Sequence, residues 1–319
     1  NHNEIDVAAT EVSALLPQLA WFADEPLNDP ALLPNFLIER ELGRHLKVAL
    51  NGTGGDELFA GYGRYFLAPV EQRFLKIPRD IRHMFTGGLA RRLAPDLAWK
   101  LARAEKFDGN RGAYLHDHTT QFPQSIRTLV GNRMTCPVDA QSSFFEQFDG
   151  PPQSAALAAD LSTYLSEDLL PLLDRTSMAA VVEGRVPFLD HRLVQLALAV
   201  PPDIRTPNDE QKALERAIAE PFLPHEILTA PKQGFASPVP TWLQAGLGTL
   251  ARRILTRPET LDRGWWSADG IGRLLAQPHR HGFRIYTLLM LELAVRVHVE
   301  DAATFNPPSD GLEHYADAA

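Results

Sequence analysis

A short apolar run followed by glycines and an acidic pair is the feature that most constrains how this chain can fold. Lys-Val-Ala-Leu at 47–50 leads into Asn51-Gly52-Thr53-Gly54-Gly55-Asp56-Glu57. An apolar run bounded by glycine predicts a buried strand. The glycines permit positive φ angles and a close approach of the backbone to a ligand. We therefore expect a strand, a glycine turn and then a helix that begins at the acidic pair.

The chemistry of this loop has two interpretations. A helix N-terminus offers unpaired N–H groups to a phosphate or carboxylate, and Asp56 placed there would be a hard oxygen ligand suited to Mg²⁺. The loop is not a Walker A motif, because Gly-Lys-Ser/Thr is missing, and its glycine spacing is not that of a dinucleotide fingerprint. The alternative is a tight turn in which Asp56 and Glu57 interact only with the helix dipole.

The rest of the chain is predicted to be mainly helical. From Glu57 onward there is almost no period-two alternation, whereas apolar residues recur at helical spacing. Pro171 should kink or break the longest such segment, and Asn208 is a candidate N-cap for another. The predicted elements are an extended segment at Glu4–Val7 and helices over 12–22, 32–46, 157–182, 208–221 and 286–299. Residues 67–150 carry few motifs and are interpreted as a helical insertion or lid.

Composition excludes several classes of protein. The 319 residues include 31 Lys+Arg and 40 Asp+Glu, and the net charge of −9 argues against binding along a nucleic-acid backbone. The single cysteine, Cys136, excludes an intramolecular disulfide. No stretch approaches the ~20 apolar residues of a membrane span, and we expect a cytoplasmic protein. Because the chain starts with Asn1 instead of methionine, we expect it to be a fragment.

Two further segments place charged residues beside apolar sequence. One covers 174–190 and contains Arg175 and Glu183, and the other presents Lys232 in the loop 231–238. A charge beside core sequence must be paired or must bind something charged, so an internal ion-pair network is the alternative to a ligand-binding role. A lysine on a rigid loop can neutralise a phosphate or a developing anion. The alternative for Lys232 is an ordinary surface lysine.

Together these segments resemble the synthetase domain of glutamine-dependent asparagine synthetases of the B type. The family's glycine-rich acidic loop is similar to 51–62. Its Tyr-Leu-x-x-Asp-Leu-Leu…Asp-Arg-x-Ser-Met-Ala…Glu-x-Arg-x-Pro-Phe-Leu-Asp pattern is similar to 164–190, and its Lys-x-Gly-Phe-x-x-Pro loop is similar to 232–238. The order and spacing agree over nearly the whole chain, and three ordered motifs make the resemblance specific.

The resemblance implies an α/β fold with a truncated adenine-nucleotide α-hydrolase-like core of few parallel strands and a predominantly helical remainder. It divides the chain into three parts. Residues 1–66 would be a partial nucleotide-binding core, and 67–150 the helical insertion or lid. Residues 151–319 would be a helical synthetase subdomain that closes the active site.

The resemblance also implies an ATP-dependent, amide-forming carbon–nitrogen ligase. A substrate carboxylate, aspartate in the family, would attack ATP to give an acyl-adenylate and Mg-pyrophosphate. Ammonia from glutamine would then displace AMP. The implied cofactors are ATP and Mg²⁺. The implied partners are a small carboxylate, ammonia or glutamine, and a glutaminase domain upstream or in trans, and a homodimer is compatible with this picture.

The resemblance assigns roles to individual residues. Asp56 would hold Mg²⁺ and pyrophosphate, and Lys232 would stabilise pyrophosphate and the transition state. Arg175 and Glu183 would lie near the site. The residues expected to contact the nucleotide or the acyl-adenylate are Asn51, Gly52, Thr53, Gly54, Gly55 and Glu57.

The sequence departs from the family pattern at several positions. Thr53 stands where relatives usually have Asp or Glu, Asn51 replaces a common Ser, and Ala230 stands where Arg is frequent. The family's Ser-Gly-Gly-x-Asp-Ser pyrophosphate loop and its glutaminase domain are expected to be missing through truncation, and we expect this fragment alone to be inactive. The carboxylate lost at position 53 leaves two alternatives open. One is a specialised amidotransferase acting on a sugar acid or a natural product, and the other is a non-catalytic homologue or scaffold.

Overall fold

Helices make up most of the described chain. Two short strands, one near residue 50 and one near residue 185, pair with each other. The computed structural model describes residues 9–66, 73–74, 76–86, 122, 130–131, 148, 150–230, 237–301 and 306–317. The strands are β1 (Val48–Leu50) and β2 (Glu183–Arg185). The α-helices are α1 (Ala9–Phe22), α2 (Leu32–Leu42), α3 (Gly55–Leu58), α4 (Arg79–Thr86), α5 (Pro152–Ser162), α6 (Leu170–Ala179), α7 (His191–Ala199), α8 (Pro202–Arg205), α9 (Ala213–Ala219), α10 (His225–Thr229), α11 (Val239–Trp242), α12 (Gly248–Leu255), α13 (Pro258–Asp262), α14 (Ala268–Leu275), α15 (Pro278–Val295) and α16 (Leu312–Asp317).

The two strands pair in parallel. Val48 lies opposite Glu183 and Leu50 opposite Arg185, and the N–H of Asn51 extends the ladder by donating to the carbonyl of Arg185 at 2.7 Å. The sequence did not reveal β2, because three residues are too few to establish an alternating pattern. Helices combined with few parallel strands agree with the predicted α/β class. The more specific α-hydrolase-like core stays a prediction.

The burial predicted for the first strand is wrong. Val48 and Leu50 expose 40% and 75% of their surface, and Ala49 between them is half-buried. Among the described residues, β1 has β2 as its one neighbouring strand. Burial of a strand depends on what packs over it, and in the described part of the chain little covers the apolar side chains of β1.

The helices before β1 form as predicted, but the second is shorter. The region predicted at 12–22 lies within α1, whereas α2 ends at Leu42 instead of continuing to residue 46. A Cβ at Gly43 would lie 2.5 Å from the carbonyl oxygen of Ala180. The end of α2 therefore packs directly against the turn after α6, and the chain leaves the helix there.

The long helical segment is interrupted before Pro171, as expected. A π-helical turn at Leu165–Leu169 separates α5 from α6, and Pro171 lies in the first turn of α6. Proline has no N–H for the carbonyl one turn earlier, and the extra residue of the π-helical turn takes up the mismatch. The break brings one face of α6 against α2, which is where the cleft described below forms.

Two other helix starts differ from the prediction. Asn208, Asp209 and Lys212 have φ of 59°, 60° and 57°, a left-handed conformation that cannot continue a helix. The helix predicted from 208 therefore begins only at α9, and Asn208 belongs to a turn instead of capping a helix. The last long helix starts earlier than predicted because Pro278 opens α15, a position where the missing N–H has no cost.

One hydrophobic core joins α1, α2, α12, α14, α15 and α16. Within it the fully buried Glu292 accepts hydrogen bonds from Thr260 at 2.8 Å, from Arg296 at 2.7 Å and from Arg263. A buried carboxylate is tolerated when it is paired in this way. The network fixes α15 against α13 and the residue that follows it.

Most of the predicted insertion at 67–150 lies outside the described residues, as does the extended segment predicted at Glu4–Val7. Helix α4 belongs to the insertion, whose overall role stays a prediction. In the ranges that the structure describes, every helix is too short or too polar to cross a bilayer.

Candidate active site

The glycine-rich loop after β1 is shaped by its own side chains. Asn51 Oδ1 accepts hydrogen bonds from the N–H of Thr53 at 2.8 Å and from the Thr53 hydroxyl at 2.6 Å. Gly54 has a φ of 96°, and a Cβ there would overlap the side chain of Leu189, so this position requires glycine. A Cβ at Gly52 would meet nothing within 4 Å. The backbone at Gly52 therefore borders open space, and the Thr53 hydroxyl holds the loop in shape.

Helix α3 follows the loop and presents two carboxylates with different partners. Asp56 Oδ1 lies 2.9 Å from Nζ of Lys212, which also lies 3.2 Å from Glu215. Burial lowers the pKa of Lys212, but its hydrogen bond to Asp56 and the nearby charges outweigh burial and raise the pKa overall. Glu57 is 1% exposed and accepts a 2.6 Å hydrogen bond from the Tyr62 hydroxyl, and burial raises its pKa.

The loop and α3 border a cleft of about 590 Å³. This volume is typical of a small-molecule site. Of the predicted loop residues, Gly55 is buried outside the lining. The lining residues are Asp29, Ala31, Asn35, Ile38, Glu39, Leu42, Ala49, Leu50, Asn51, Gly52, Thr53, Gly54, Asp56, Glu57, Tyr62, Tyr164, Leu169, Leu172 and Leu173. The structure thus brings the glycine loop together with the first part of the 164–190 motif, and with a face of α2 that the motifs did not indicate.

A buried ion pair supports one wall of the cleft. Asp160 of α5 is fully buried and accepts hydrogen bonds from Arg64 Nη2 at 2.8 Å and from the Tyr65 hydroxyl. The Arg64 guanidinium lies 4.0 Å from the centre of the Tyr62 ring and 5.0 Å from that of Tyr164, in cation–π geometry. Because both rings line the cleft, this network holds the wall in place.

Two further acidic residues lie close together at the cleft. Asp29 is part of the lining and accepts a 2.8 Å hydrogen bond from the N–H of Ala31. Burial raises the pKa of Asp168 to about 7, and the charges of Asp29 and Glu25 add to the effect. Asp168 belongs to the motif at 164–190, whereas nothing local in the sequence indicated Asp29. The region therefore contains a carboxyl group that titrates near neutral pH.

Arg175 and Glu183 are not among the lining residues. Arg175 Nη1 forms a 3.1 Å ion pair with Asp24, and both side chains are partly exposed. Glu183 Oε1 lies 2.7 Å from Arg185 on exposed β2, and the hydrogen bond from Arg185 lowers the pKa of Glu183. Both pairs are exposed, so they differ from the internal ion-pair network considered above as the alternative to ligand contact. A location of Arg175 and Glu183 near the bound substrates stays a prediction.

Lys232 lies outside the described residues, so its predicted role is not tested. The chain is anchored just beyond it. The hydroxyl of Ser237 donates a 2.7 Å hydrogen bond to the carbonyl of Pro30, and Pro30 follows the cleft residue Asp29. Ser237 thus ties the end of the lysine loop to the cleft.

Two parallel strands, the first of which ends at a glycine loop with a cleft beside it, define an α/β protein with a candidate ligand site at the carboxyl edge of its sheet. The sequence model described as asparagine synthase matches residues 1–296. The chain belongs to the asparagine synthase family.

Individual relatives agree with this assignment. The chain is 35% identical over 253 residues to a putative glutamine-hydrolysing asparagine synthetase of Mycobacterium bovis, a match that covers 75% of this chain and 37% of the relative. It is 28% identical over 283 residues to the glutamine-hydrolysing asparagine synthetase 1 of Bacillus subtilis, a match that covers 81% of this chain and 44% of the relative. It is also 23% identical over 276 residues to the amidase chyE of Penicillium rubens, and this match covers 78% of this chain and 41% of the relative. The chain therefore spans about two fifths of the length of these curated relatives.

Proposed function

We propose that the chain is the synthetase part of an ATP-dependent amidotransferase of the asparagine synthetase type. An oxygen of the substrate carboxylate attacks the α-phosphorus of ATP, and the bond to pyrophosphate breaks. The nitrogen of ammonia then attacks the acyl carbon, the bond to AMP breaks, and the nitrogen loses a proton. With aspartate the product is asparagine. The observation that carries the proposal is the glycine loop and acidic pair at a cleft of about 590 Å³ in a chain of this family.

The loop is suited to a nucleotide. Open space at Gly52 leaves room for a phosphate or ribose against the backbone, because a side chain at that position would meet nothing. The Asn51–Thr53 hydrogen bonds hold the loop in one conformation before any ligand arrives. A preorganised loop lowers the barrier by aligning the substrate carboxylate with the phosphorus, which is the main requirement of this reaction.

The residues present fit a magnesium ion only together with substrate phosphates. The described ranges contain no group of three or more His, Cys, Asp or Glu side chains that could hold a metal. Mg²⁺ in nucleotide sites is commonly held by one or two carboxylates plus phosphate oxygens, a part that Asp56 can fill. When bound, the ion would neutralise charge on the departing pyrophosphate.

Cationic side chains contribute to the same neutralisation. Lys212 is held at Asp56 and is charged, so it adds a positive group next to the predicted metal ligand. Lys232 is five residues from Ser237, and five residues extend at most about 18 Å. Ser237 is anchored at Pro30, next to the cleft residue Asp29, and Lys232 is proposed to act on the leaving group from the loop that precedes this anchor.

Ammonia is proposed to come from glutamine. The relatives from Mycobacterium bovis and Bacillus subtilis are named as glutamine-hydrolysing asparagine synthetases. A glutaminase domain, in the same polypeptide or in trans, would supply the nucleophile.

ATP–pyrophosphate exchange by the gene product that contains this chain tests the proposal, with aspartate and Mg²⁺ present. We expect exchange that requires both and that is lost in Asp56→Ala. Asp203→Asn, an exposed acid on α8, is the matched control and should leave exchange unchanged. Exchange with another carboxylate but not aspartate would assign a specialised amidotransferase. Absence of exchange with every acid tested, or release of ADP instead of AMP, would overturn the proposal.

A further inference from the structure

The cleft contains a buried carboxylate that the proposed chemistry does not use. Glu39 of α2 is 3% exposed and belongs to the cleft lining. Its Oε2 atom is buried and accepts no hydrogen bond from any residue that the structure describes. Buried polar groups in folded proteins are nearly always paired. A carboxylate oxygen that is unpaired among the described residues, and that borders a cleft, is a place where a ligand can supply the partner.

The surroundings of Glu39 are otherwise uncharged. One face of α2 lines the cleft with residues at helical spacing, and the facing surface around the start of α6 is made of leucines. The side chains of these two faces are Asn35, Ile38, Glu39, Leu42, Leu169, Leu172 and Leu173. Apart from the amide of Asn35, this part of the cleft is an apolar slot with a single carboxylate.

In the described part of the lining, no positive side chain offsets the negative charge of Glu39. Among the lining residues in the described part of the chain, the charged ones are Asp29, Glu39, Asp56 and Glu57, and all four are acids. Lys212 is engaged by Asp56 and Glu215. Burial raises the pKa of Glu39, because an ionised carboxylate in an apolar slot is poorly solvated. A cation placed against Glu39 would remove that penalty.

We propose that Glu39 binds a cationic nitrogen of the acyl substrate. The substrate is thus a carboxylic acid that carries an ammonium or guanidinium group on an aliphatic arm. Its carboxylate lies at the loop 51–54, its methylene groups lie against the leucines, and its nitrogen donates to Glu39. This assignment rests on the proposed function for the carboxylate end alone. Amino acids belong to this class, whereas acids of the same length without a nitrogen do not.

Matched pairs of acids test the inference in the exchange assay. We compare δ-aminovalerate with valerate, and aspartate with succinate, in the gene product that contains this chain. The amine-bearing member of at least one pair should show the higher kcat/KM. Glu39→Gln keeps the shape of the side chain and should lower kcat/KM for that acid by about 30-fold or more, mainly through KM. The acid without nitrogen should be unaffected.

The control variant is Glu41→Gln on the same helix, outside the cleft lining and ion-paired with Arg44. It should leave all four acids unchanged. Because Oε2 of Glu39 makes no hydrogen bond that folding would lose, Glu39→Gln should fold at least as well as the parent, and circular dichroism checks this.

Calorimetric binding of the same acids without ATP separates this inference from the proposed function. One outcome is that no acid supports exchange, that δ-aminovalerate or aspartate nevertheless binds, and that Glu39→Gln abolishes this binding. The inference then stands and the proposed function is wrong. If exchange occurs with equal kcat/KM for both members of each pair, or if Glu39→Gln changes nothing, the inference is overturned and the proposed function remains. Absence of binding by every amine-bearing acid also overturns it.

Discussion

Replacing Asp160 by asparagine removes the negative charge from the network behind the cleft wall. Asp160 is fully buried and accepts from Arg64 Nη2 at 2.8 Å, from Arg64 Nε at 3.2 Å and from the Tyr65 hydroxyl. Arg64 is 12% exposed at its side chain and keeps its charge at any accessible pH. The variant therefore removes the carboxylate charge that faces the largely buried guanidinium of Arg64.

The expected loss of stability is large for one substitution. Removing one partner of a buried ion pair costs about 3–5 kcal/mol, and asparagine retains one hydrogen-bond acceptor, which places the expectation near the lower end, at about 3 kcal/mol. A typical total stability is about 5–15 kcal/mol, so the loss is a substantial fraction. Because Arg64 also lies against the rings of Tyr62 and Tyr164, ATP–pyrophosphate exchange should weaken as well.

Urea unfolding followed by circular dichroism at pH 7 measures the effect. The control is Glu41→Gln, which breaks an exposed pair with Arg44 and should cost at most about 0.5 kcal/mol. A loss for Asp160→Asn below about 1 kcal/mol, comparable to an exposed pair, would show that the guanidinium is well solvated without Asp160. It would refute the argument that this pair supports the wall.

Two other predictions follow from the cleft. Because the pKa of Asp168 is raised from 3.8 to about 7, the folded chain keeps a proton that the unfolded chain loses between about pH 4 and 7. The free energy of unfolding should fall across that window and level off above it. Asp168→Asn should be more stable than the parent at pH 8 but not at pH 4, and a pH-independent difference would contradict this. Ser237→Ala loses the hydrogen bond to Pro30 and should lower the free energy of unfolding by about 1 kcal/mol. Its control is Thr287→Ala, which loses a similar hydrogen bond on α15. Ser237→Ala should reduce ATP–pyrophosphate exchange far more than this control does. Equal exchange by the two variants would show that the Ser237 anchor does not serve the site.

Much of the local structure followed from sequence patterns. The apolar spacing of α1 and α2, the strand before the glycines and the break before Pro171 all depend on residues within a few positions of one another. The helix predicted from Asn208 was wrong because three residues there have positive φ, which the residue types did not signal. β2 was missed because its three residues form a strand only by pairing with β1.

The sequence by itself determined the family motifs and the acidic glycine loop, because these are runs of neighbouring residues whose chemistry does not depend on the rest of the chain. Only the tertiary structure placed Lys212 at Asp56, Asp29 near Asp168 and Glu39 in an apolar slot. The tertiary structure also leaves β1 exposed, although the apolar composition of this strand predicted that it would be buried. Burial and ion pairing are properties of neighbours in space, and packing between distant segments decides which neighbours those are.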